Sequence, residues 1–172
     1  MPEDHRPQTP YEKARFSSAG KTHYIILRGK WGLAIDTAVL WLTGYSLQNK
    51  QYCLAHGTPY IPCLLLSTTG ARTGKRRTCG LPFWRVDDDY IVRGSNGGGP
   101  TDPHWCHNVR KNPNVSIRVR RKTKQVKAHI AAGEERERLF EIMAKKSSST
   151  EMYQDMCAPR ELPLIVLRGA AL

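Results

Sequence analysis

The 172-residue sequence has no C-x-x-C pair, and its cysteines number only five. An odd count without paired spacing argues against a disulfide framework and a structural zinc site, and it favours a reducing cytosol. The first residues, MPEDHRPQTPYEKAR, carry acids and prolines where an export signal needs an apolar core. We therefore predict no export signal.

Acidic residues are also scarce. The sequence has 15 Asp and Glu and 27 Lys and Arg, which gives a formal net charge of +12. This excess predicts an anionic partner: a nucleic acid, an acidic lipid surface or a highly charged small molecule. The segment from Arg110 to Lys127 has eight cations but no aromatic side chain on which bases could stack. That absence disfavours a nucleic-acid surface.

The chain is predicted to have three parts. Residues 1–22 are polar and contain prolines, which indicates a flexible arm. Residues 23–62 are predicted as a helical extension and linker, with a helix over Trp31–Leu42 and a loop from Gln48 to Pro62. The helix is too short to span a membrane, and it either packs on the core or lies on an acidic membrane surface. Residues 63–172 form the main domain.

Short strands outnumber helices in the main domain, and no strand–helix–strand alternation indicates a parallel sheet. The fold class is therefore α+β with an antiparallel, barrel-like sheet of about six strands and interleaved helices. The predicted strands are Cys63–Ser67, Thr78–Arg85, Asp89–Arg93, Val115–Val119, Thr123–Ala131 and Leu162–Leu167, and the predicted helices are His104–Lys111, Glu134–Lys146 and a short one around Met152.

A basic loop follows the first of these strands, in the stretch LLLSTTGARTGKRRT from Leu64 to Thr78. A nucleotide-hydrolase phosphate loop needs four residues between its first glycine and the Gly-Lys pair, and then a hydroxyl residue. Here only three residues separate Gly70 from Gly74, and Arg76 follows Lys75, so we reject that motif. The hydroxyls and guanidinium groups can still cradle a phosphate or carboxylate without metal. A solvated basic turn remains the alternative.

A second loop, SNGGGPTDP from Ser95 to Pro103, contains three consecutive glycines. Such a loop lets backbone amides approach a ligand closely, but it is entropically costly, which argues against a merely structural turn. Asn96 adds amide donors and an acceptor. Because both loops follow strand ends, we expect them to border one cleft.

The stretch HWCHN after the second loop could suggest a metal site. His104 and His107 share a helix face, but Cys106 points elsewhere and no distant Cys/His pair completes four ligands. We expect no metal, and we expect His104 and Asn108 to face the glycine-rich loop. Since no catalytic triad or carboxylate pair is evident, an enzyme with this sequence would rely on a bound cofactor.

The two loop motifs together, followed by NVRKNPNVSIRV, resemble the deazaflavin-dependent nitroreductase family. Members are small split β-barrel oxidoreductases of actinobacteria that use coenzyme F420. The resemblance runs from Cys63 to Leu167 and implies an F420-dependent reductase with a split β-barrel fold. Two alternatives stay open: the same barrel with FMN, and a non-enzymatic barrel that carries F420 or binds nucleic acid.

The resemblance also implies a set of cofactor-binding residues. The basic loop would hold the phosphate and glutamate tail of F420, the following strand would run beside its ring system, and the glycine-rich loop and the next helix would complete the pocket. These residues are Ala71, Arg72, Thr73 and Arg77 for the tail, Thr78, Cys79 and Gly80 for the ring, and Arg93, Gly94, Ser95, Asn96, His104, Trp105, Cys106, His107 and Asn108 for the rest of the pocket.

The implied reaction is hydride transfer from reduced F420 to an electron-poor, lipophilic acceptor: a quinone, enone, unsaturated fatty acid or nitroaromatic. Ser95 and Tyr153 are the candidates for substrate-side catalytic roles. Family members often carry several tyrosines near this point, and only Tyr153 keeps that pattern. The N-terminal extension resembles those of membrane-associated members, so we expect a cytoplasmic protein with peripheral membrane contact, and a homodimer is open.

Overall fold

The structure is a computed structural model that describes residues 29–55 and 59–169. The predicted flexible arm, residues 1–22, lies outside the described residues. The described elements are α1 (Gly29–Thr43), α2 (Leu47–Ala55), β1 (Cys63–Thr69), β2 (Arg76–Val86), β3 (Asp89–Arg93), a 3-10 turn (Asn96–Gly98), α3 (His104–Lys111), β4 (Asn114–Val119), β5 (Lys122–Ile130), α4 (Gly133–Lys146), α5 (Ser149–Cys157) and β6 (Leu164–Gly169).

The six described strands close into an antiparallel barrel in the order β1-β2-β3-β6-β5-β4. On β5, Val126 and Ala128 point into the barrel while Lys127 between them is exposed, which is the alternation expected of a half-buried strand. The barrel interior is lined by branched aliphatic residues. Leu64, Leu66 and Ile117 are among those with almost no exposed surface. The predicted α+β fold with a six-stranded antiparallel barrel is confirmed.

The predicted N-terminal helix is confirmed as α1, but the predicted loop from Gln48 to Pro62 is wrong, because Leu47–Ala55 forms α2. Ser46 begins this helix as its N-cap: its Oγ accepts a hydrogen bond from the Asn49 amide at 3.0 Å. Asp36 of α1 reinforces the cap, since its carboxylate accepts from the Ser46 hydroxyl at 2.8 Å and from the Gln48 amide at 3.0 Å.

Helix α1 has two unlike faces. Asp36 and Leu40, four residues apart, are buried, and Leu40 packs against Cys63 and Leu65 of β1. The opposite face leaves large apolar side chains in solvent, among them Trp31 at 84% exposure and Trp41 at 52%. No helix in the two described ranges is both long enough and apolar enough to cross a bilayer.

Candidate active site

A cavity of about 470 Å³ lies between the N-terminal helices and the barrel. This volume is within the range of small-molecule and cofactor sites. Five parts of the chain form its wall: the α1–α2 region, the segment from Ile61 to Cys63, the middle of β2, the glycine-rich loop with the residues on either side of it, and the first part of α5. Lining residues include Asp36, Ser46, Tyr52, Cys53, Ile61, Gly80, Leu81, Pro82, Arg93, Ser95, Asn96, Gly97, Trp105, Ser149 and Tyr153.

The basic loop joins β1 to β2 and is held in shape by Asn108 of α3. The Asn108 side chain accepts from the Ala71 amide at 2.9 Å and donates to the Thr68 hydroxyl at 2.9 Å. Lys111, one turn later, donates to the Ala71 carbonyl at 2.7 Å. The prediction that Asn108 faces the glycine-rich loop is therefore wrong: both ends of its amide are committed to the basic loop.

The cations of the basic loop have no ion-pair partner among the described residues. Arg72, Lys75 and Arg77 are exposed, and none of them forms a salt bridge within 29–55 or 59–169. Arg76 instead donates to the hydroxyls of Ser67 and Ser116, at 3.2 Å each. Three positive groups are thus available to an anionic ligand at this end of the barrel.

The glycine-rich loop is held by hydrogen bonds from Arg160. Its guanidinium donates to the carbonyls of Gly94, Ser95 and Gly99 at 3.2, 3.3 and 2.9 Å, and to Asp102 Oδ1 at 2.8 Å. One half-buried arginine therefore binds three carbonyls of this loop and the Asp102 carboxylate. The hydroxyl of Ser95 lines the cavity and makes no hydrogen bond within the described part of the chain.

Helix α3 connects the two loops. Trp105 in its first turn lines the cavity, while Asn108 and Lys111 further along bind the basic loop. At about 1.5 Å of rise per residue, Trp105 and Lys111 lie only about 9 Å apart along the helix axis. Helix α3 therefore contacts both the cavity and the basic loop, but no residue of the basic loop lines the cavity, and the shared cleft stays a prediction.

Several predicted site residues do not reach this cleft. Cys106 is fully buried, and a Cβ added to Gly94 would lie 2.7 Å from its Sγ, so Cys106 packs beneath the loop. Cys79 turns into the barrel core. Burial raises the pKa of both thiols to about 12, so neither is a thiolate at neutral pH. His104 is exposed and lies outside the cavity. His107 lines a different cavity.

The remaining predicted residues fall into two sets. Gly80, Arg93, Ser95, Asn96, Trp105 and Tyr153 line the cavity. Ala71, Arg72 and Thr73 form the basic loop, and Arg77 and Thr78 lie at the start of β2 beside it. Gly94 is buried under the glycine-rich loop. The sequence interpretation missed the contribution of α2, notably Tyr52; the Ser46 cap was the one local signal for that helix.

Arg93 lines the cavity from the end of β3. Its guanidinium carbon lies 4.4 Å from the centre of the Trp84 ring and 4.9 Å from that of Tyr153, and Nη1 donates to the hydroxyls of Ser149 and Thr150 at 3.1 Å each. Desolvation lowers the pKa of Arg93 to about 10, which leaves it cationic at neutral pH. No carboxylate in the described ranges pairs with it.

Tyr153 and Tyr52 meet beside Arg93. Their hydroxyls share a short hydrogen bond, and their rings stack at 6.2 Å between centroids. Burial raises the pKa of each tyrosine above its usual value, so both keep their protons at neutral pH. The cavity therefore has two neutral acids next to one fixed cation.

A family model for F420H2-dependent quinone reductases matches residues 46–169, which is most of the chain. The chain belongs to this family. A Mycobacterium tuberculosis F420H2-dependent quinone reductase is 35% identical over 108 residues, covering 62% of this chain and 72% of the relative.

Solved structures with a similar fold include an F420-dependent reductase. A structure described as an F420-H2 dependent reductase, FDR-A, matches with a TM-score of 0.57 and 31% identity over 62% of this chain and 94% of its own. Another, described as a domain-swapped dimer, matches with a TM-score of 0.57 and 30% identity over 66% of this chain and 86% of its own.

Family membership confirms the predicted resemblance, the F420-dependent oxidoreductase class and F420 as the cofactor. The described residues fit such a ligand, because unpaired cations suit an acidic tail and a cavity with a largely apolar wall suits a planar ring. The FMN alternative leaves these cations unexplained, since FMN carries one phosphate and no glutamate tail.

Proposed function

We propose that this chain reduces a lipophilic quinone with F420H2, with the cofactor's ring in the cavity and its acidic tail on the basic loop. The observation that supports this most strongly is helix α3, which lines the cavity with Trp105 and fixes the basic loop with Asn108. One ligand with a flat ring and an anionic tail can occupy both. When bound, F420H2 supplies the hydride.

The tail contacts belong to Ala71, Arg72, Thr73 and Arg77. The Thr73 hydroxyl and the two guanidinium groups suit phosphate and carboxylate oxygens, while the Ala71 amide is already bound by Asn108. The ring contacts belong to the cavity residues Gly80, Ser95, Asn96 and Trp105. The predicted contacts of Cys79, Cys106 and His107 are left out, because none of these residues lines the cavity. Thr78 lies in the chain between the residues assigned to the tail and those assigned to the ring. Its hydroxyl is 2.8 Å from that of Ser67.

On the substrate side, Ser95 and Tyr153 remain the candidate catalytic residues. Ser95 has a hydroxyl available in the cavity, and Tyr153 is a neutral acid within it. A carbonyl acceptor suits both groups, because it accepts hydrogen bonds before reduction and needs a proton afterwards. Quinones are favoured over nitroaromatics, enones and fatty acids since the family and its relatives carry that activity in their names.

Two measurements test this function. Titration of the chain with oxidised F420, followed by cofactor fluorescence, should give low-micromolar or tighter binding that weakens with salt. Mixing with F420H2 and matched panels of quinones, enones, fatty acids and nitroaromatics should show fastest cofactor oxidation with quinones. No binding at low salt, or no quinone-dependent oxidation, would exclude the proposal.

The outer face of α1 suits peripheral contact with an anionic membrane. Trp31, Leu33 and Ile35 are about half exposed or more, and the basic β4–β5 hairpin adjoins the end of the helix. Arg118 stacks on Trp41 at 4.6 Å and donates to its carbonyl at 3.2 Å, and the Arg120 backbone lies against Gly44. Apolar side chains beside clustered cations are typical of interfacial anchors.

Sedimentation with vesicles tests this contact. The chain should bind vesicles containing phosphatidylserine and bind neutral phosphatidylcholine vesicles weakly. A Trp31→Ser, Ile35→Ser variant should lose binding while retaining F420 affinity, because neither residue lines the cavity. Equal binding of the variant and the unmodified chain would contradict this surface.

A further inference from the structure

The cavity wall contains a positive charge that the cofactor's tail does not explain. Arg93 lines the cavity, yet the groups assigned to the tail lie on the β1–β2 loop, and Arg93 comes from the end of β3. Arg93 is half-buried, and a cation that loses part of its hydration is destabilised unless an opposite charge compensates it. Among the described residues, the guanidinium of Arg93 donates to two hydroxyls and stacks on two aromatic rings, and it pairs with no carboxylate.

These neighbours hold the guanidinium in one position. Trp84 of β2 and Tyr153 of α5 contact its faces, while Ser149 and Thr150 at the start of α5 both bind Nη1. All described hydrogen bonds therefore use a single nitrogen. The other guanidinium nitrogens carry donors that are available to a ligand in the cavity.

Two tyrosines lie beside this cation with unequal access to solvent. Tyr153 is 8% exposed, whereas Tyr52 of α2 is only half-buried. Their hydroxyls are joined by a hydrogen bond, and both line the cavity. Tyr153 donates this hydrogen bond to Tyr52, so both hydroxyls must rotate before a proton can pass from the outer tyrosine to the inner one.

We propose that Arg93 stabilises the negative charge on the acceptor's reduced oxygen, and that Tyr52 resupplies the proton that Tyr153 gives to that oxygen. The inference rests on the proposed function and assigns the acceptor's subsite. Hydride addition to a quinone produces a hydroquinone monoanion. The Tyr153 O–H bond breaks as the new O–H bond forms, and a solvent proton returns to Tyr153 through Tyr52.

This arrangement explains two features of the chain together. The charge of Arg93 is compensated only while the acceptor is anionic, which is the condition for favouring the transition state over the neutral substrate. Tyr153 is protonated at neutral pH, so it has a proton to give when a negative oxygen develops nearby. The N-terminal extension then contributes a catalytic group as well as a wall of the cavity.

Cofactor-free protein provides the first test, through quenching of tryptophan fluorescence by two probes of similar shape. One probe is neutral 1,4-naphthoquinone, and the other is 2-hydroxy-1,4-naphthoquinone, an anion at neutral pH. The unmodified chain should bind the anion about tenfold more tightly, the value of one charge-assisted contact. Arg93→Met should abolish the preference and Arg93→Lys should largely keep it.

The matched control is Arg85→Met, because Arg85 also stacks on an aromatic ring, Tyr90 at 4.4 Å, but lies outside the cavity. It should leave the preference unchanged. If the unmodified chain shows no preference for the anion, or if Arg93→Met retains it, the assignment of Arg93 is wrong. Should Arg93→Met fail to fold, loss of the preference in Arg93→Lys would equally contradict a role for charge.

Steady-state kinetics test the tyrosine pair. Tyr52→Phe should lower kcat about tenfold, with an increased solvent deuterium isotope effect and an unchanged KM for F420H2. Tyr45→Phe is the control, because Tyr45 belongs to the same extension but does not line the cavity. An unchanged kcat in Tyr52→Phe would overturn the relay. Failure of the unmodified chain to bind F420 or reduce quinones would instead refute the proposed function, independently of the probe preference.

Discussion

The two cationic regions of the candidate site differ in how their charge is held. The basic loop presents Arg72, Lys75 and Arg77 to water without ion-pair partners in the described chain, whereas Arg93 is enclosed by two rings and two hydroxyls. Exposed charges attract over a distance and are screened by salt, while an enclosed charge acts only on what touches it. The difference suggests one region for capture of an anion and another for chemistry.

The largest expected effect concerns the exposed region. A double variant, Arg72→Ala with Arg77→Ala, should weaken F420 binding about 100-fold at low salt, since each charge-assisted contact contributes about tenfold. The loss should shrink as salt is added. Lys122→Ala with Lys124→Ala removes the same charge from exposed lysines outside the cleft. An equal loss in that control would mean that only net charge matters.

The next prediction asks whether the exposed region also needs a fixed shape. Asn108→Ala leaves the Ala71 amide and the buried Thr68 hydroxyl without their partner. Unfolding free energy should fall by about 2 kcal/mol in urea denaturation, and F420 affinity should fall with it. Asn112→Ala, which removes one exposed hydrogen bond to Asn114, should cost about 0.5 kcal/mol and leave affinity intact. Unchanged affinity in Asn108→Ala would show that charge alone is enough.

A smaller effect on F420 affinity is expected for Arg160, which shapes the glycine-rich loop and does not attract the cofactor directly. Arg160→Met removes the donors that hold the carbonyls of Gly94, Ser95 and Gly99. F420 affinity should fall about tenfold, and the loss should be independent of salt because the contacts are enclosed. A loss that disappears at high salt would instead place Arg160 with the attracting charges of the basic loop.

The smallest effect concerns the buried, uncharged thiols of the protein interior and their contribution to the free energy of unfolding. Burial raises the pKa of Cys63, Cys79 and Cys106 to about 12, from an ordinary value of 9.0. The unfolded chain therefore loses these protons first, and stability declines as pH rises above 8. From pH 8 to pH 9 the three thiols together should lower the unfolding free energy by about 1 kcal/mol.

Urea titrations at the two pH values measure this decline, and Cys79→Ala should reduce it by about a third. An unchanged slope in Cys79→Ala would mean that this thiol is not shielded from ionisation by the barrel. Because Cys79 does not line the cavity, the variant should keep its F420 affinity.

The sequence predicts the barrel well because its strands obey local rules. The alternation in Val115–Val119 and the apolar run after Cys63 each specify a strand without reference to distant contacts. Helix α2 escapes prediction because Gly57, Pro59 and Pro62 suggest a loop, although all three follow the end of the helix. Its described partners include Asp36 of α1, Ile61, and Tyr153 of α5, and all of these are tertiary contacts.

The candidate site shows the same division. Motif spacing identifies both loops, but it does not show that Cys106 fills the space beneath Gly94 or that Asn108 turns toward Ala71. Those orientations depend on the rotation of α3 against the barrel. The meeting of Tyr52 with Tyr153, across 101 positions of chain, is a purely tertiary contact that no local pattern predicts.

The central claim is that one ligand spans the basic loop and the cavity. The most direct test compares F420 with its tail-less deazaflavin in the unmodified chain and in the Arg72→Ala, Arg77→Ala variant. We predict that the variant loses about 100-fold affinity for F420 and none for the tail-less compound, because the proposal assigns both arginines to the tail alone. An equal loss for the two ligands, or no binding of the tail-less compound to the unmodified chain, would contradict the claim.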